Sequence, residues 1–262
     1  MLSDAQFLRY QRQLSLTQIG EHGQHTLLTS KVLVIGCGGL GSAAVLYLAA
    51  AGIGQFVIVD DDILESSNLH RQVIYRENQI GKSKVRAMAE QIAAINKDCR
   101  VRPITKRIFN KQLQLEILLA DVVLDCTDNI ESRHIINQAC RKANKPLISG
   151  AAIGWQGQII TFDHLPPSSC YRCLVPDGEL PATQRCDELG VIGPVVGVIG
   201  ALQALQTIKL LTKQPDYQAN QMTVFDGQTF QFQTFNVPKD LHCNVCCLSV
   251  ADNIGEEQKC PI

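Results

Sequence analysis

The chain has 262 residues, enough to bury a hydrophobic core as one large domain or as one domain with an appendage. Its formal net charge is −1 and its pI is about 6.6, so electrostatics give no reason to expect binding to nucleic acid or acidic membranes. The N-terminus is charged and lacks the apolar stretch of a secretory signal, and the cysteines, eleven in all, are odd in number. We therefore expect a reduced, cytoplasmic protein with some metal-bound thiolates, rather than a disulfide framework.

The first 30 residues are predicted to form one or two short helices. Apolar residues recur at roughly helical spacing between residues 4 and 28. This segment also contains Arg9 and Arg12. Taken alone, both are expected to be ordinary surface arginines.

A glycine-rich turn follows the first predicted strand. Residues 32–35 form a short β-branched apolar run, typical of a strand buried on both faces. Gly36, Gly38 and Gly41 follow in the order G-x-G-x-x-G, and an Ala/Leu-rich helix then continues to about Gly52. In such a turn the first glycine permits the tight bend, the second lets backbone approach a phosphate, and the third lets helix pack on strand. The helix N-terminus offers free N–H groups and partial positive charge to an anion.

A second predicted strand, 55–59, ends at a well-placed acid. Asp60 follows it directly, about 20 residues after the last glycine of the turn, where a Rossmann unit carries its ribose-binding carboxylate. Strand, glycines, helix, strand and acid in this order predict a nucleotide site. The alternative is a tight strand-to-helix turn that binds nothing.

The alternation of strand and helix continues to residue 150. We predict a helix that opens at 79–84 and runs to about 96, a strand over 99–105, a helix over 111–119, a strand over 121–126, a helix over 132–144 and a strand over 146–150. This order favours an α/β, Rossmann-like, doubly wound fold with a mostly parallel sheet and right-handed crossovers.

The second half is predicted to add antiparallel strands and one apolar helix. Residues 156–162 have the pattern of a strand, and 222–236 that of a hairpin with its turn near Asp226. Residues 190–211 are almost continuously apolar, but a proline and three polar residues within them argue against a membrane span. We predict instead a core or subunit-interface helix, in which Gly193, Gly197 and Gly200 share one face and allow close helix packing.

Two C-x-x-C pairs, Cys170/Cys173 and Cys243/Cys246, predict a structural zinc site. Each spacing lets two sulfurs bind one tetrahedral ion, and the four thiolates together leave no open coordination position. A redox-active pair is the alternative, but two pairs without a thioredoxin-like setting favour a metal.

Charged residues after the glycine-rich turn suggest phosphate chemistry. Asp60 could bind ribose hydroxyls, Arg71 and Lys84 could bind phosphates, and Asp128, after the fourth strand, could bind Mg²⁺. Singly, the arginine and the lysine would be expected to face solvent. Their joint placement on successive strand-to-helix connections predicts one shared site.

The combination of motifs resembles the ThiF/MoeB/HesA family, relatives of ubiquitin-activating enzymes. The motifs are R-Y-x-R-Q at residues 9–13, G-C-G-G-L-G, D-D-D-I-L-E-S-S-N-L-H-R-Q, G-K-S-K, D-C-T-D-N and the paired C-x-x-C, and together they cover nearly the whole chain. The resemblance implies an adenylyltransferase that uses ATP and Mg²⁺ to adenylate the C-terminal glycine of a ubiquitin-like sulfur carrier. It also implies a homodimer and a persulfide sulfur donor.

Roles for individual residues follow from the same resemblance. The residues implied to bind ATP are Gly36, Gly38, Gly39, Gly41, Asp60, Asp62, Ser67, Asn68, Arg71, Lys84, Asp128 and Asn129. Those implied to act in catalysis are Arg12, Arg71, Lys84, Asp128 and Cys186. Among them, Asp128 would bind Mg²⁺ and Arg12 would reach the triphosphate from the other subunit. We expect one domain over 1–262, with N-terminal helices (1–30), a nucleotide-binding part (31–150) and a zinc-bound carrier-binding and dimer part (151–262).

Within the family, the segments 170–177 and 190–197 look most like the branch that serves thiazole synthesis in thiamine formation. Cys186 stands in the segment where that branch carries a cysteine that joins its carrier through sulfur, although a surface cysteine without a role is equally compatible with the local sequence. Members of the molybdopterin pathway share nearly every motif, so that pathway is the second expectation.

Two other classes compete with a carrier adenylyltransferase. An NAD-dependent oxidoreductase would explain G-x-G-x-x-G and Asp60, but it has less use for Arg71, Lys84 and Asp128 around a triphosphate. A non-catalytic, nucleotide-dependent scaffold is the other alternative.

Overall fold

The computed structural model describes residues 2–165, 168–176 and 190–246. The helices are α1 (Asp4–Leu14), α2 (Gly20–Thr29), α3 (Gly39–Ala51), α4 (Lys84–Ile95), α5 (Asn110–Leu119), α6 (Ile130–Ala143), α7 (Tyr171–Leu174) and α8 (Gly193–Leu211). The strands are β1 (Lys31–Ile35), β2 (Gln55–Val59), β3 (Arg100–Ile104), β4 (Val122–Asp125), β5 (Leu147–Ile153), β6 (Gln156–Phe162), β7 (Gln221–Asp226) and β8 (Gln231–Asn236). Every element predicted from the sequence is present, with boundaries that differ by a few residues.

The strands form one eight-stranded sheet in the order β3-β2-β1-β4-β5-β6-β7-β8. Strands β3, β2, β1, β4 and β5 are parallel, and β6, β7 and β8 continue the sheet antiparallel. The α/β prediction of a mostly parallel sheet with an antiparallel C-terminal extension is therefore confirmed. The division of the chain into three parts stays a prediction.

Helices cover both faces of the parallel strands. Val32 and Val34 of β1 belong to the apolar cluster that includes α3, α4 and α8, while Leu33 between them belongs to the cluster that includes α5 and α6. Because successive strand residues point to opposite faces, a strand covered on both sides must be apolar throughout. The position of β1 between two layers of helices therefore explains why its residues 32–35 are all apolar.

The strand order reverses between β1 and β4. From β1 the chain moves outward through β2 and β3 on one side, then returns to place β4 and β5 on the other. The connections that leave the carboxyl ends of β1 and β4 therefore diverge and open a crevice. In open α/β sheets this is where ligands bind.

Helix α8 packs inside the protein. Among the described helices it is the one with the length and apolar composition to cross a membrane, and it lies against α3 and the sheet. A Cβ at Gly200 would lie 2.5 Å from the Leu40 carbonyl oxygen of α3, and one at Gly193 would lie 2.6 Å from the His70 carbonyl oxygen. The prediction of close packing is confirmed at these two glycines. At Gly197 a Cβ would meet no described atom of the same chain within 4 Å, so close packing there, for which a subunit interface remains, stays a prediction.

Helix α1 packs at the end of α3 that is remote from the glycine-rich turn. The Tyr10 hydroxyl accepts a hydrogen bond from Asn96 Nδ2 at 2.8 Å, and Gln13 Nε2 donates to the Ala51 carbonyl oxygen at 3.1 Å. Gly52, which ends α3 at φ +96°, leaves room for the Tyr10 ring, since a Cβ there would lie 2.7 Å from it. These contacts hold the N-terminal helix α1 against the remote end of α3.

Candidate functional site

The glycine-rich turn has the geometry that its sequence predicts. Gly36 adopts φ +96°, and a Cβ there would lie 2.6 Å from the Cys126 carbonyl oxygen. A Cβ at Gly41 would collide with the Gly36 carbonyl oxygen, so α3 can approach β1 this closely only with glycine. A Cβ at Gly38 would meet no described atom closer than 3.8 Å, and Gly38 precedes α3 without a side-chain cap. The first-turn N–H groups of α3 are therefore available to an anion.

Asp60 joins the end of β2 to this turn. One of its carboxylate oxygens accepts the Cys37 N–H at 2.7 Å, and the other accepts the Asp62 N–H at 2.8 Å. Burial raises the pKa of Asp60, while these two N–H groups and the charge of Lys84 oppose the rise. The carboxylate therefore fixes the turn, and each oxygen keeps a lone pair for a further donor. Ribose binding by Asp60 stays a prediction.

Lys84 is held at the same edge by Asp62. Its Nζ lies 2.7 Å from an Asp62 carboxylate oxygen, and its backbone N–H donates to the Asp62 carbonyl oxygen at 3.0 Å. The Lys84 side chain is 8% exposed and that of Asp62 is 59% exposed. The observed contact of Asp62 is thus with the lysine, and its predicted contact with ATP stays a prediction.

The predicted ATP residues 67, 68 and 71 form one compact turn. Asn68 Oδ1 accepts the Glu65 N–H at 3.2 Å, and Ser67 Oγ donates to a Glu65 carboxylate oxygen at 3.1 Å. Arg71 Nη1 donates to the Ser67 carbonyl oxygen at 3.0 Å and lies 2.8 Å from His70 Nε2. A Cβ at Gly39 would lie 3.3 Å from the Arg71 carbonyl oxygen, so this turn lies directly against the glycine-rich turn.

Two residues that the sequence analysis did not single out lie against the glycine-rich turn. The Tyr75 hydroxyl donates to the Cys37 carbonyl oxygen at 2.7 Å, and burial raises the pKa of Tyr75, so it remains a neutral donor. Gln72 is 3% exposed; its Nε2 would lie 3.8 Å from a Cβ at Gly38, and its Oε1 has no partner among the described residues. Gln72 belongs to the H-R-Q motif, whereas no local signal in the sequence points to Tyr75.

Asp128 and Asn129 lie across the crevice, at the carboxyl end of β4. Asn129 Oδ1 accepts the Ser132 N–H at 2.9 Å and so caps α6, while its Nδ2 donates to Asp128 Oδ1 at 3.2 Å. Asp128 is exposed, and its charge contributes to raising the pKa of Arg107, which is paired mainly with Asp61. Carboxylate and amide oxygens are the ligands that Mg²⁺ prefers, so these residues fit the expected cation.

Arg12 is the predicted site residue that the fold does not bring to the crevice of its own chain. It is exposed on α1, which packs beside Ala51 and Gly52 at the remote end of α3. Helix α3 has 13 residues and is about 20 Å long at 1.5 Å per residue. An arginine side chain cannot cover that distance to Gly38. Cys186 lies outside the described residues.

The four predicted zinc ligands do meet. Their sulfurs all lie within 4.8 Å of one another, with Sγ–Sγ distances of 3.8 Å for Cys170–Cys243 and 3.5 Å for Cys173–Cys246. A tetrahedral zinc with Zn–S bonds of about 2.3 Å requires sulfurs roughly 3.8 Å apart, so the cluster fits this ion. Contacts with Cys170 and Cys246 lower the pKa of Cys173, and the pKa of Cys246 is raised by its contacts with Cys170 and Cys173. A cation would allow all four thiols to ionise.

The eight cysteines of the described part are free thiols. Four of them, Cys37, Cys99, Cys126 and Cys140, are buried apart from the cluster. Within this part of the chain, no disulfide framework supports the fold.

Comparison with known proteins places these features in a family. The sequence profile of the ThiF family matches residues 10–246. The chain is 41% identical over 253 residues to the sulfur carrier protein ThiS adenylyltransferase of Escherichia coli K12, which covers 97% of this chain and 100% of that protein. It is 40% identical over 246 residues to the molybdopterin-synthase adenylyltransferase of Salmonella typhimurium, with 94% of this chain and 98% of that protein covered.

A further relative by sequence and a solved structure extend the similarity. The SAMP-activating enzyme E1 of Haloferax volcanii is 35% identical over 256 residues, which covers 97% of this chain and 94% of that protein. The crystal structure of E. coli MccB superimposes with a TM-score of 0.80 at 23% identity, covering 94% of this chain and 74% of that one, a likeness of fold alone. From the profile match and the full-length relatives together, we conclude that the chain belongs to the ThiF family.

Proposed function

We propose that this protein adenylates the C-terminal glycine of a ubiquitin-like sulfur carrier, using ATP. It is an adenylyltransferase, and it aligns with nearly the full length of two relatives that carry this name. The observation that carries the proposal is the convergence on one crevice of the open N-terminus of α3, the ion-paired Lys84, and Asp128 at the end of β4. An NAD-dependent oxidoreductase would need the glycine-rich turn and Asp60 but neither the lysine nor the second acid.

In the proposed reaction, an oxygen of the carrier's terminal carboxylate attacks the α-phosphorus of ATP. A bond forms between that oxygen and phosphorus, the bond from phosphorus to the pyrophosphate oxygen breaks, and the acyl-adenylate and pyrophosphate result. A carboxylate is already ionised at neutral pH, so the attack needs no general base. Catalysis then consists of positioning and of stabilising negative charge.

The crevice offers groups for both tasks. Arg71 and Lys84 would stabilise charge on the transferring phosphoryl oxygens, and the N–H groups at the start of α3 would bind a phosphate. Asp128 would hold the Mg²⁺ of the nucleotide, which neutralises charge on the leaving pyrophosphate when it is bound, and Asn129 would lie beside the nucleotide. Asp60, fixed by Cys37 and Asp62, would accept the ribose hydroxyls.

Exchange of labelled pyrophosphate into ATP tests the proposal. We expect exchange only when a carrier ending in Gly-Gly is present, and faster exchange with a thiazole-pathway carrier than with the small subunit of molybdopterin synthase. Faster exchange with the small subunit of molybdopterin synthase would instead assign the enzyme to the molybdopterin pathway. Reduction of NAD without carrier-dependent exchange would refute adenylation altogether.

Cys186 belongs to the thiazole proposal. After adenylation and sulfur transfer from a persulfide donor, it would join the carrier through sulfur. Mass spectrometry without reductant, after incubation with carrier, ATP and the donor, would detect this conjugate in the wild-type protein and not in Cys186→Ser. Carrier adenylate and thiocarboxylate without any Cys186 adduct would favour the molybdopterin pathway.

An apolar rim at the same edge of the sheet supports carrier binding by the C-terminal part. Strand β7 runs parallel to β5, so the β5–β6 and β7–β8 turns lie at the edge where the nucleotide site opens. These turns expose Trp155 by 49% and Phe230 by 80%, and Phe232 at the start of β8 by 52%. Strand β8 is also an unpaired sheet edge among the described strands. A folded carrier docked here would have its C-terminal tail near the crevice.

We further propose that the four-cysteine cluster holds one structural Zn²⁺ per chain. Replacing Cys243 with serine should abolish zinc retention and lower the thermal unfolding temperature, because metal-binding energy is also folding energy. Cys99→Ser is the matched control: it alters a buried thiol outside the cluster, and it should lower stability without loss of zinc. Elemental analysis combined with thiol titration provides the measurement. Purified protein without zinc and with four freely titratable cluster thiols would contradict the assignment.

The proposed enzyme is a cytoplasmic homodimer. Its own chain leaves Arg12 on the far side of the fold from the crevice, so a role for Arg12 in catalysis requires a second subunit.

A further inference from the structure

A buried acid lies beneath the proposed Mg²⁺ site. Asp125, the last residue of β4, is 0% exposed. Its Oδ1 accepts two hydrogen bonds from Thr127, one from the backbone N–H at 3.0 Å and one from Oγ1 at 2.7 Å. Its Oδ2 accepts a third from Ser149 Oγ of β5 at 2.8 Å. A fully buried carboxylate persists as a charge only with such donors and a compensating cation.

Arg133 of α6 supplies that cation. It is 6% exposed; its Nη1 donates to Ser149 Oγ at 3.1 Å, and its Nη2 donates to the Thr127 carbonyl oxygen. Ser149 therefore bridges the two charges, since its hydroxyl accepts from Arg133 and donates to Asp125. The same arrangement holds Thr127 on both sides, with its N–H bound by the carboxylate and its C=O bound by the guanidinium.

Thr127 is followed directly by Asp128 and Asn129. The far side of this short turn is held by Asn129, whose side chain caps α6 at the Ser132 N–H. Asp125 and Arg133 are too deeply buried to touch a nucleotide in the crevice. Their contacts instead restrict the backbone that presents Asp128.

We propose that Asp125, Ser149 and Arg133 form a buried frame that positions Asp128 for the Mg²⁺ of the bound nucleotide. Arg133 is the positioning residue whose replacement should disturb Asp128 most, because its planar guanidinium donates hydrogen bonds to both Ser149 and Thr127. This role rests on the proposed function, since it requires a Mg²⁺–nucleotide complex in the crevice. Residues that orient a metal ligand typically change metal affinity by about 10- to 100-fold when they are removed.

The test compares the affinity for a non-hydrolysable ATP analogue without and with Mg²⁺, measured by calorimetry on the purified full chain. The ratio of the two dissociation constants reports the metal contribution without any turnover. Asp128→Ala gives the ratio expected when the metal ligand is lost. For Arg133→Ala and Arg133→Lys we expect this ratio to fall by about tenfold or more, towards the value for Asp128→Ala. A lysine keeps the charge but cannot make both bonds in the same geometry.

Arg141→Ala is the matched control. Arg141 lies on the same helix, and its Nη1 donates to a backbone carbonyl at 2.6 Å, that of His164, which is outside the frame. The control should lose stability and keep the wild-type ratio. Folded Arg133→Lys protein with an unchanged ratio would overturn the proposal, and so would an equal fall in the Arg141→Ala control.

If Arg133→Ala does not fold, Arg133→Lys and Ser149→Ala still decide the question, and the second should show a smaller fall because it keeps the bond from Arg133 to Thr127. A wild-type protein without carrier-dependent exchange would refute the proposed function alone. The nucleotide affinities would then still show whether the frame positions Asp128.

Discussion

Asp128→Ala is expected to lower carrier-dependent ATP–pyrophosphate exchange by at least about a hundredfold, the scale for losing a major electrostatic stabiliser of a transition state. The variant should remain folded, because the Asp128 carboxylate is exposed at the end of β4 and its removal leaves no cavity. Near-normal exchange in a folded variant would place the metal elsewhere in the crevice.

The control for this variant is Asp216→Ala. Asp216 is also an exposed carboxylate, and it is paired with Lys209 of α8 at 2.8 Å. Its removal should change exchange little, since an exposed surface ion pair contributes little to stability and Asp216 lies outside the crevice. Equal losses in both variants would indicate a general effect of removing acidic surface charge.

The second large effect is expected from mixing two inactive variants. Arg12→Ala and Lys84→Ala should each be nearly inactive alone, because each removes a cation from the proposed triphosphate site. If Arg12 acts across a homodimer, a heterodimer of the two has one site that keeps both residues. Random mixing should then restore about a quarter of the wild-type activity, because half of the dimers would be mixed and each would have one intact site.

Two controls make this result specific. Lys84→Ala mixed with Asp128→Ala should show no recovery, because these residues serve the same site from the same chain and every hybrid site would lack one of them. Arg9→Ala should be almost fully active, because Arg9 donates to the Ile95 carbonyl oxygen of its own chain at 3.1 Å. Verified heterodimers of Arg12→Ala and Lys84→Ala without recovered activity would exclude the crossed arrangement.

Local patterns in the sequence were sufficient to predict the elements and the glycine-rich turn. A strand buried on both faces must be apolar throughout, as in residues 32–35, and a helix that begins against a strand needs glycine where a Cβ would collide. The constraint at Gly36 and Gly41 comes from atoms that are close in the fold. It is visible in the sequence because the glycines it requires are only a few residues apart. The two C-x-x-C pairs were readable for the same reason, since each places two sulfurs within reach of one ion.

Contacts between side chains that are distant in the sequence could not be predicted from local patterns. Asp62 was predicted to contact ATP, yet its observed partner is Lys84, 22 positions along the chain. Tyr75 holds the Cys37 carbonyl from 38 positions away, and no local pattern distinguishes it from a core aromatic. Such contacts depend on how connections from different strands meet at the sheet edge.

The sequence by itself thus determined the order of strands and helices, the phosphate-type turn and the two halves of the cysteine cluster, because each depends on residues close together in the chain. The tertiary structure alone decided that no described residue packs against Gly197, that Arg12 lies at the remote end of α3, and that Ser149 joins Arg133 to Asp125 in a buried frame. These three depend on which surfaces the strand order brings together. Strand order is a global property of packing, and no short window of the sequence encodes it.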